Sequence, residues 1–164
     1  MKICLFILFF PLLSFAQFLS ADVGINGLTC SACSRSVEMS IRKLDFVQDV
    51  QMDLQNTRGK IVFKEGGHVS IDKLAKAVTD AGFSVRYLNA LFVVDSVSIF
   101  NNNYFDYENA HYRFINAVTK KLSGAVTLTF IGKKYLPKKE YKKWKKEIKS
   151  IYANDKQKAY YVTL

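Results

Sequence analysis

Cysteine and histidine are scarce in this chain, whose 164 residues contain three cysteines and two histidines. Cys30 and Cys33 form the only close cysteine pair, and there is no second pair to complete the four-ligand site that zinc prefers. His68 and His111 are distant in the sequence from each other and from the cysteine pair. An isolated histidine of this kind is usually a solvated surface residue. No serine triad, pair of catalytic carboxylates or phosphate-cradling glycine loop occurs in a convincing context. The sequence therefore does not predict an enzyme, and the two neighbouring thiols are its main chemical feature.

Long apolar runs are also missing, apart from one at the N-terminus that is too short to cross a membrane. Residues 5–13 are apolar, whereas a membrane-spanning helix needs about 20 such residues. Lys2 precedes the run, and the small residues Ser14 and Ala16 follow it at the positions that a signal peptidase reads. This pattern predicts a signal peptide at residues 1–16 and export to the periplasm or the medium, with an uncleaved anchor as the alternative. Cleavage would remove Cys4.

Acidic residues are few, and the formal net charge is +10. The excess of positive charge lies in residues 132–164, which contain eleven lysines but only three acidic residues, Glu140, Glu147 and Asp155. In an exported protein, this charge predicts an anionic membrane or an acidic protein surface as partner, and not nucleic acid. A solvated helix face is the simpler interpretation of the same lysines.

Residues 22–88 alternate between strand and helix patterns. Apolar and polar residues alternate as in strands, while Ile71, Leu74 and Val78 recur at helical spacing. Thr29 and Ser70 are the predicted N-caps of two helices. The predicted strands are 23–26, 46–54, 60–64 and 83–88. The resulting order, β-α-β-β-α-β, is typical of a ferredoxin-like fold.

The first predicted helix begins beside Cys30 and Cys33, within the sequence Gly27-Leu28-Thr29-Cys30-Ser31-Ala32-Cys33. Such a C-x-x-C turn brings two sulfurs together near a helix N-terminus, whose positive dipole end favours thiolates. Thiolates bind soft metal ions, and the same pair of cysteines can form a redox disulfide. The spacing alone leaves both chemistries open.

The motif and the order of elements together resemble a heavy-metal-associated domain, the module of copper chaperones, mercury-binding periplasmic proteins and metal-pumping ATPases. The family pattern reads G-M-T-C-x-x-C and closes with a G-F or G-Y pair before the last strand. Here Leu28 replaces the methionine, a near-isosteric change, and Gly82-Phe83 supplies the closing pair.

This resemblance implies that Cys30 and Cys33 bind a metal ion. It further implies that Leu28 anchors the loop from below, that Thr29 shapes it, and that Phe83 packs beneath the thiols. Copper(I) is the favoured ion because two thiolates without a third ligand suit linear coordination, and mercury(II) and zinc(II) are the alternatives. The implied partner is a metal donor or acceptor protein, such as a metal-transporting ATPase.

A thiol-disulfide oxidoreductase is the main alternative for the cysteine pair. Thioredoxin-like enzymes usually have an aromatic residue before the first cysteine and a cis-proline facing the pair. In this chain Thr29 precedes Cys30, and Pro137 is the only proline after the predicted signal peptide. A structural disulfide would close too short a loop to contribute much stability. We therefore favour metal binding, and a partner-binding module without metal stays open as a third function.

No family is recognised in residues 89–164, which are predicted to be β-rich with one amphipathic helix. Strand patterns lie at 91–100, 111–118 and 125–131. A basic helix at about 137–152 carries Tyr141, Trp144 and Ile148 on one face and lysines on the other. The predicted organisation is an α+β protein with a signal peptide at 1–16, a ferredoxin-like module at 22–88 and a β-rich domain at 89–164.

Overall fold

The computed structural model describes residues 16–94, 104–115, 124–151 and 159–164. Most of the predicted signal peptide, and the ends of the strands predicted at 91–100 and 111–118, lie outside these residues. No helix in the described ranges is long and apolar enough to span a membrane. The elements are β1 (Gln17–Asn26), α1 (Ser31–Arg42), β2 (Val47–Asp53), β3 (Arg58–Phe63), α2 (Ile71–Asp80), β4 (Ser84–Val94), β5 (Tyr104–Tyr107), β6 (Ala110–Phe114), β7 (Gly124–Ile131), α3 (Lys138–Ile151) and β8 (Ala159–Thr163).

The elements from β1 to β4 form the predicted β-α-β-β-α-β module. Strand β1 pairs antiparallel with both β3 and β4, and β2 pairs antiparallel with β3. The strand order β4-β1-β3-β2 confirms the ferredoxin-like fold that the sequence predicted. Strand β1 begins at Gln17, well before the predicted start at Val23, because its first residues pair with the far end of β4.

Strand β4 connects this module to the rest of the chain. It continues past Leu88 to Val94, and residues 89–94 pair with β7. The result is one eight-stranded sheet in the order β2-β3-β1-β4-β7-β8-β6-β5. The division made on the sequence between residues 88 and 89 therefore falls inside a strand, and the backbone pairing is not interrupted there.

The C-terminal region is β-rich with one helix, as predicted. Strands β5 and β6 form a hairpin whose two turn residues, Glu108 and Asn109, have φ angles of 46° and 62°. Positive φ at both central residues is what a type I′ turn requires. The sequence did not predict β5, since its four residues are too few to show a period. Strand β8 lies between β6 and β7, parallel to the former and antiparallel to the latter.

Helices α1 and α2 cover one face of the sheet, and α3 packs on the opposite face. The main core joins apolar residues of α1 and α2 to Phe130 and Val162 of the C-terminal strands. A second cluster joins Trp144 of α3 to Ile131 and Tyr161. Because side chains alternate along a strand, Ile131 and Tyr161 point away from the face of Phe130 and Val162. All seven lysines of α3 stay exposed.

Aromatic rings fill the core where the module meets the C-terminal strands. The ring of Phe92 on β4 is almost fully buried, and its centroid lies 4.8 Å from that of Phe18, 5.0 Å from Tyr107 and 5.3 Å from Phe105. These neighbours belong to β1 and to the β5–β6 hairpin. The module and the C-terminal region thus share one apolar core.

Asp72, in the first turn of α2, adds a polar connection between the same two regions. Its Oδ1 accepts hydrogen bonds from the Tyr135 hydroxyl at 2.8 Å and from Lys134 Nζ at 2.9 Å, and its Oδ2 accepts one from the Tyr160 hydroxyl at 3.2 Å. Burial raises the pKa of Tyr160 to about 12, with the Asp72 charge acting in the same direction. Burial and Asp72 also raise the pKa of Tyr135. Both hydroxyls therefore remain protonated donors well above neutral pH.

We expect the free energy of unfolding to fall as the pH rises from about 10 to about 12. The folded chain keeps the Tyr160 proton over this range, whereas the unfolded chain releases it, so the stabilisation is present below the unfolded pKa and lost above it. Tyr135 and Tyr112, whose pKa values burial also raises, act with the same sign. Chemical denaturation at a series of alkaline pH values measures the slope. Tyr160→Phe should lessen the slope, and equal slopes in the two proteins would contradict this assignment.

Candidate metal centre

Cys30 and Cys33 lie where the chain passes from β1 into α1. Strand β1 ends at Asn26, and Gly27 turns the chain with a φ of 82°, a conformation that favours glycine. Helix α1 begins at Ser31, so Cys30 directly precedes the helix and Cys33 lies in its first turn. The fold thus brings both predicted metal ligands to the N-terminal end of one helix.

The two cysteines form a disulfide in this structure, with their Cα atoms 5.2 Å apart. Cys30 is exposed, whereas Cys33 is partly buried and packs against the main core. Cys30 Sγ accepts a hydrogen bond from the backbone N–H of Cys33 at 3.1 Å. That N–H is one of the donors that a helix leaves unpaired at its start, and a donor directed at sulfur stabilises the thiolate once the disulfide is reduced.

Cys30 is the N-cap of α1, so the capping role predicted for Thr29 was wrong. Cys30 has extended backbone angles, with φ at −140° and ψ at 157°, and its side chain accepts from the N–H three residues later. This is the reach of a serine or threonine cap, with sulfur in place of oxygen. Thr29 lies one residue earlier and is exposed. Its influence on the shape of the loop stays a prediction.

Two apolar residues predicted to support the loop lie next to it. Leu28 is 1% exposed and belongs to the main core, although its neighbours Gly27 and Thr29 are exposed. Phe83 is half-buried, packs against the same core and approaches Gly27, since a Cβ placed on that glycine would lie 3.8 Å from the Phe83 ring. Leu28 therefore fixes the loop to the core, and Phe83 lies beside the start of the loop. The position of Phe83 beneath the thiols stays a prediction.

The donor set at this loop consists of the two sulfurs. Within the four described ranges, no group of three or more His, Cys, Asp and Glu side chains is arranged to hold a metal ion. His68 and His111, which the sequence did not favour as ligands, contact the carboxylates of Glu108 and Asp106 instead.

The sequence analysis missed the polar centre at Asp72. An acidic residue in the first turn of a helix is ordinary, because it complements the helix dipole. Its tyrosine partners, Tyr135 and Tyr160, are 63 and 88 residues away along the chain. No short-range pattern could have connected them.

Comparison with known proteins bears on this loop and the module around it. The family model for the heavy-metal-associated domain matches residues 23–84. The periplasmic component of a mercuric transport protein from Pseudomonas fluorescens is 38% identical over 64 residues, which are 39% of this chain and 69% of that protein. The chain belongs to the heavy-metal-associated domain family. Its module is therefore a heavy-metal-binding domain, as the sequence predicted.

Other heavy-metal-associated domains are parts of much larger proteins. A probable copper-transporting ATPase, HMA5, from Arabidopsis thaliana is 39% identical over 64 residues, which are 39% of this chain. The chain spans 6% of the length of that ATPase and 6% of its Oryza sativa subsp. japonica counterpart.

Solved structures in the family include oxidised MerP from Ralstonia metallidurans CH34 and a copper binding domain of the P-type ATPase HMA7. MerP is 32% identical, with 43% of this chain and 97% of that one covered and a TM-score of 0.36. The HMA7 domain is 31% identical, with 42% and 90% covered and a TM-score of 0.39.

Proposed function

We propose that this chain is an exported, non-enzymatic metal carrier that binds one soft ion, copper(I) above all, through Cys30 and Cys33. The observation that carries the proposal is the placement of two adjacent cysteine sulfurs, that of the exposed Cys30 and that of the partly buried Cys33, at the N-terminus of α1 inside a heavy-metal-associated domain. Several relatives are named as copper-transporting ATPases and one as a mercuric transport protein, which supports a soft metal ion as cargo.

The chemistry of the loop favours an ion with low coordination number. Two thiolates are soft ligands, and they suit a linear or trigonal ion better than zinc, which prefers four ligands. Because Cys30 is exposed, a thiolate from a partner can approach the bound ion before Cys30 or Cys33 releases it. The ion can then pass between proteins without becoming free. A metal-transporting ATPase or another metal-binding protein is the partner that this exchange requires.

The oxidation state of the pair controls this function. The disulfide uses both sulfurs, so the chain must be reduced before it can bind a metal ion. An exported protein works where disulfides persist. The proposed carrier therefore needs either a reductant or a metal ion that already occupies the thiolates when the protein reaches its compartment.

We expect the reduced protein to bind about one copper(I) ion per chain, since the loop offers one pair of thiolates. Protein from the exported fraction, reduced and handled without oxygen, would be titrated with copper(I) against a chromophoric chelator. The disulfide form of the same preparation is the control and should bind none at this loop. Equal copper binding by the two forms would overturn the proposal, and rapid turnover of a model disulfide would favour an oxidoreductase instead.

Fractionation of the cells that produce the protein tests export. Strand β1 starts at Gln17, directly after the predicted cleavage site, so removal of residues 1–16 would leave the whole strand in place. An exported protein whose intact mass matches a chain that starts at Gln17 supports cleavage. A protein that is found in the membrane fraction and retains residues 1–16 supports the uncleaved anchor.

A further inference from the structure

A cleft of about 550 Å³ lies between α2 and the turn that follows β7. Four lysines line it, Lys73 and Lys76 from α2 and Lys133 and Lys134 from the turn, together with Asp72, Ala75 and Thr79. A cavity of this size holds a small organic molecule or a charged head group. Because the turn belongs to the C-terminal region, neither region alone forms the cleft.

The positive charge of the cleft is only partly neutralised. Lys76 Nζ lies 2.6 Å from Asp80, and Lys134 Nζ lies 2.9 Å from Asp72. In the part of the chain that the structure describes, Lys73 and Lys133 have no carboxylate within ion-pair distance. Two lysines without a carboxylate partner therefore line one cavity, and an anion placed between them would be attracted by both charges.

Both walls of the cleft are held rigidly. In the turn, the N–H groups of Tyr135 and Leu136 donate to Gly132 O at 3.1 Å and 3.0 Å, and both side chains are buried. The Tyr135 ring packs so closely that a Cβ on Gly132 would lie 2.9 Å from it. This arrangement leaves Lys133 and Lys134 on the exposed side. Across the cleft, Ala75 is 1% exposed and fixes that turn of α2 against the core.

The geometry points to a phosphate-bearing anion as the ligand of this cleft, either a free phosphate compound or the phosphate of a lipid head group. Lysine ammonium groups are compact donors that bind phosphate as point charges, and they can contact its several oxygens from both walls. Aliphatic lysine stems and Ala75 supply apolar contact for an organic portion of the ligand. The inference stands apart from the proposed metal function.

The cleft and the cysteine loop share no residue, since the cleft is lined by α2 and the turn after β7, whereas Cys30 and Cys33 lie at the start of α1. Changes to the cleft should leave copper(I) binding intact, which separates a failure of this inference from a failure of the proposed function.

The test is a titration of the full oxidised chain with inorganic phosphate and with glycerol phosphate, at constant ionic strength, followed by the amide signals in nuclear magnetic resonance. We expect saturable shifts at Lys73, Thr79 and Lys133. The double variant Lys73→Gln/Lys133→Gln should bind at least about tenfold more weakly, because each lysine supplies a charge-assisted contact. Lys64→Gln, which removes an exposed lysine outside the cleft, is the matched control and should bind as the wild type does.

Vesicles with and without an anionic phospholipid distinguish the two sources of phosphate. Retention on the anionic vesicles that the double variant loses and Lys64→Gln keeps identifies a lipid head group. Saturable binding of glycerol phosphate without such retention identifies a free compound. Linear shifts spread over all surface lysines, or equal binding by the double variant and the wild type, would overturn the inference.

Discussion

Replacing Cys30 and Cys33 together by serine is expected to abolish copper(I) binding at the loop. The hydroxyl that replaces each thiol stays protonated and is a poor ligand for a soft ion, so the site would lose both of its donors. Single replacements should weaken binding by more than about 100-fold, since changes to residues that only support a metal ligand already cost about 10- to 100-fold. Competition with a copper(I) chelator measures the affinities.

Folding should survive this double replacement, which makes the result interpretable. The disulfide closes a loop of a few residues, and so short a closure contributes little stability. Ser31→Ala, between the two cysteines and exposed, is the matched control and should keep full copper binding. If the double variant bound copper(I) with the affinity of the reduced wild type, the ion would have to bind elsewhere and the proposed site would be wrong.

The ferredoxin-like module could be predicted from the sequence because its signals are local. Helical spacing at Ile71, Leu74 and Val78 and alternation around Val62 depend on residues a few positions apart. The extension of β1 back to Gln17 could not be predicted from the local sequence, because it depends on pairing with residues near Val93. The same holds for the pairing of β4 with β7, because the paired residues are far apart in the sequence.

The candidate metal site is even more local, and so the sequence could predict where its residues lie. Seven consecutive residues contain both cysteines and Leu28, and the structure places them at the helix start that the motif implied. The error over the cap has a simple cause. Sequence rules favour Thr29 because threonine caps helices often and cysteine rarely, but a sulfur three residues before a free N–H has the same geometry. No local sequence pattern could predict the cleft with Lys73 and Lys133, because its two walls come from segments that are far apart in the sequence.

The way in which the C-terminal region joins the module leaves the cysteine loop accessible. Strands β7 and β8 extend the sheet beyond β4, and Asp72 ties α2 to Tyr135 and Tyr160. Both connections avoid the exposed turn at Cys30. Under the proposed function, a partner that exchanges metal with this loop would meet the exposed Cys30 sulfur.

Phe92→Ala is expected to destabilise the whole chain by about 3–5 kcal/mol, the usual cost of removing a fully buried phenylalanine side chain. Phe92 is 1% exposed and packs between Phe18 of β1 and the rings of the β5–β6 hairpin, so no solvent can fill the space without wetting apolar atoms. Chemical denaturation, followed by both fluorescence and far-ultraviolet circular dichroism, measures the loss. Leu91 is half-exposed on the opposite side of the same strand, so Leu91→Ala should lower the free energy of unfolding much less.

The shape of the unfolding transition decides whether the module and the C-terminal region fold as one unit. A single core that spans β4 predicts one transition, which Phe92→Ala should shift to lower denaturant without splitting it. Two independent domains would instead unfold in two steps, and the variant would move one step while the other stayed in place. Because Phe92 contacts residues on both sides of the division between residues 88 and 89, its loss should weaken both regions together. A variant that melted only the C-terminal strands, while the module around Cys30 and Cys33 kept its wild-type stability, would show that the shared sheet does not make the two regions cooperative.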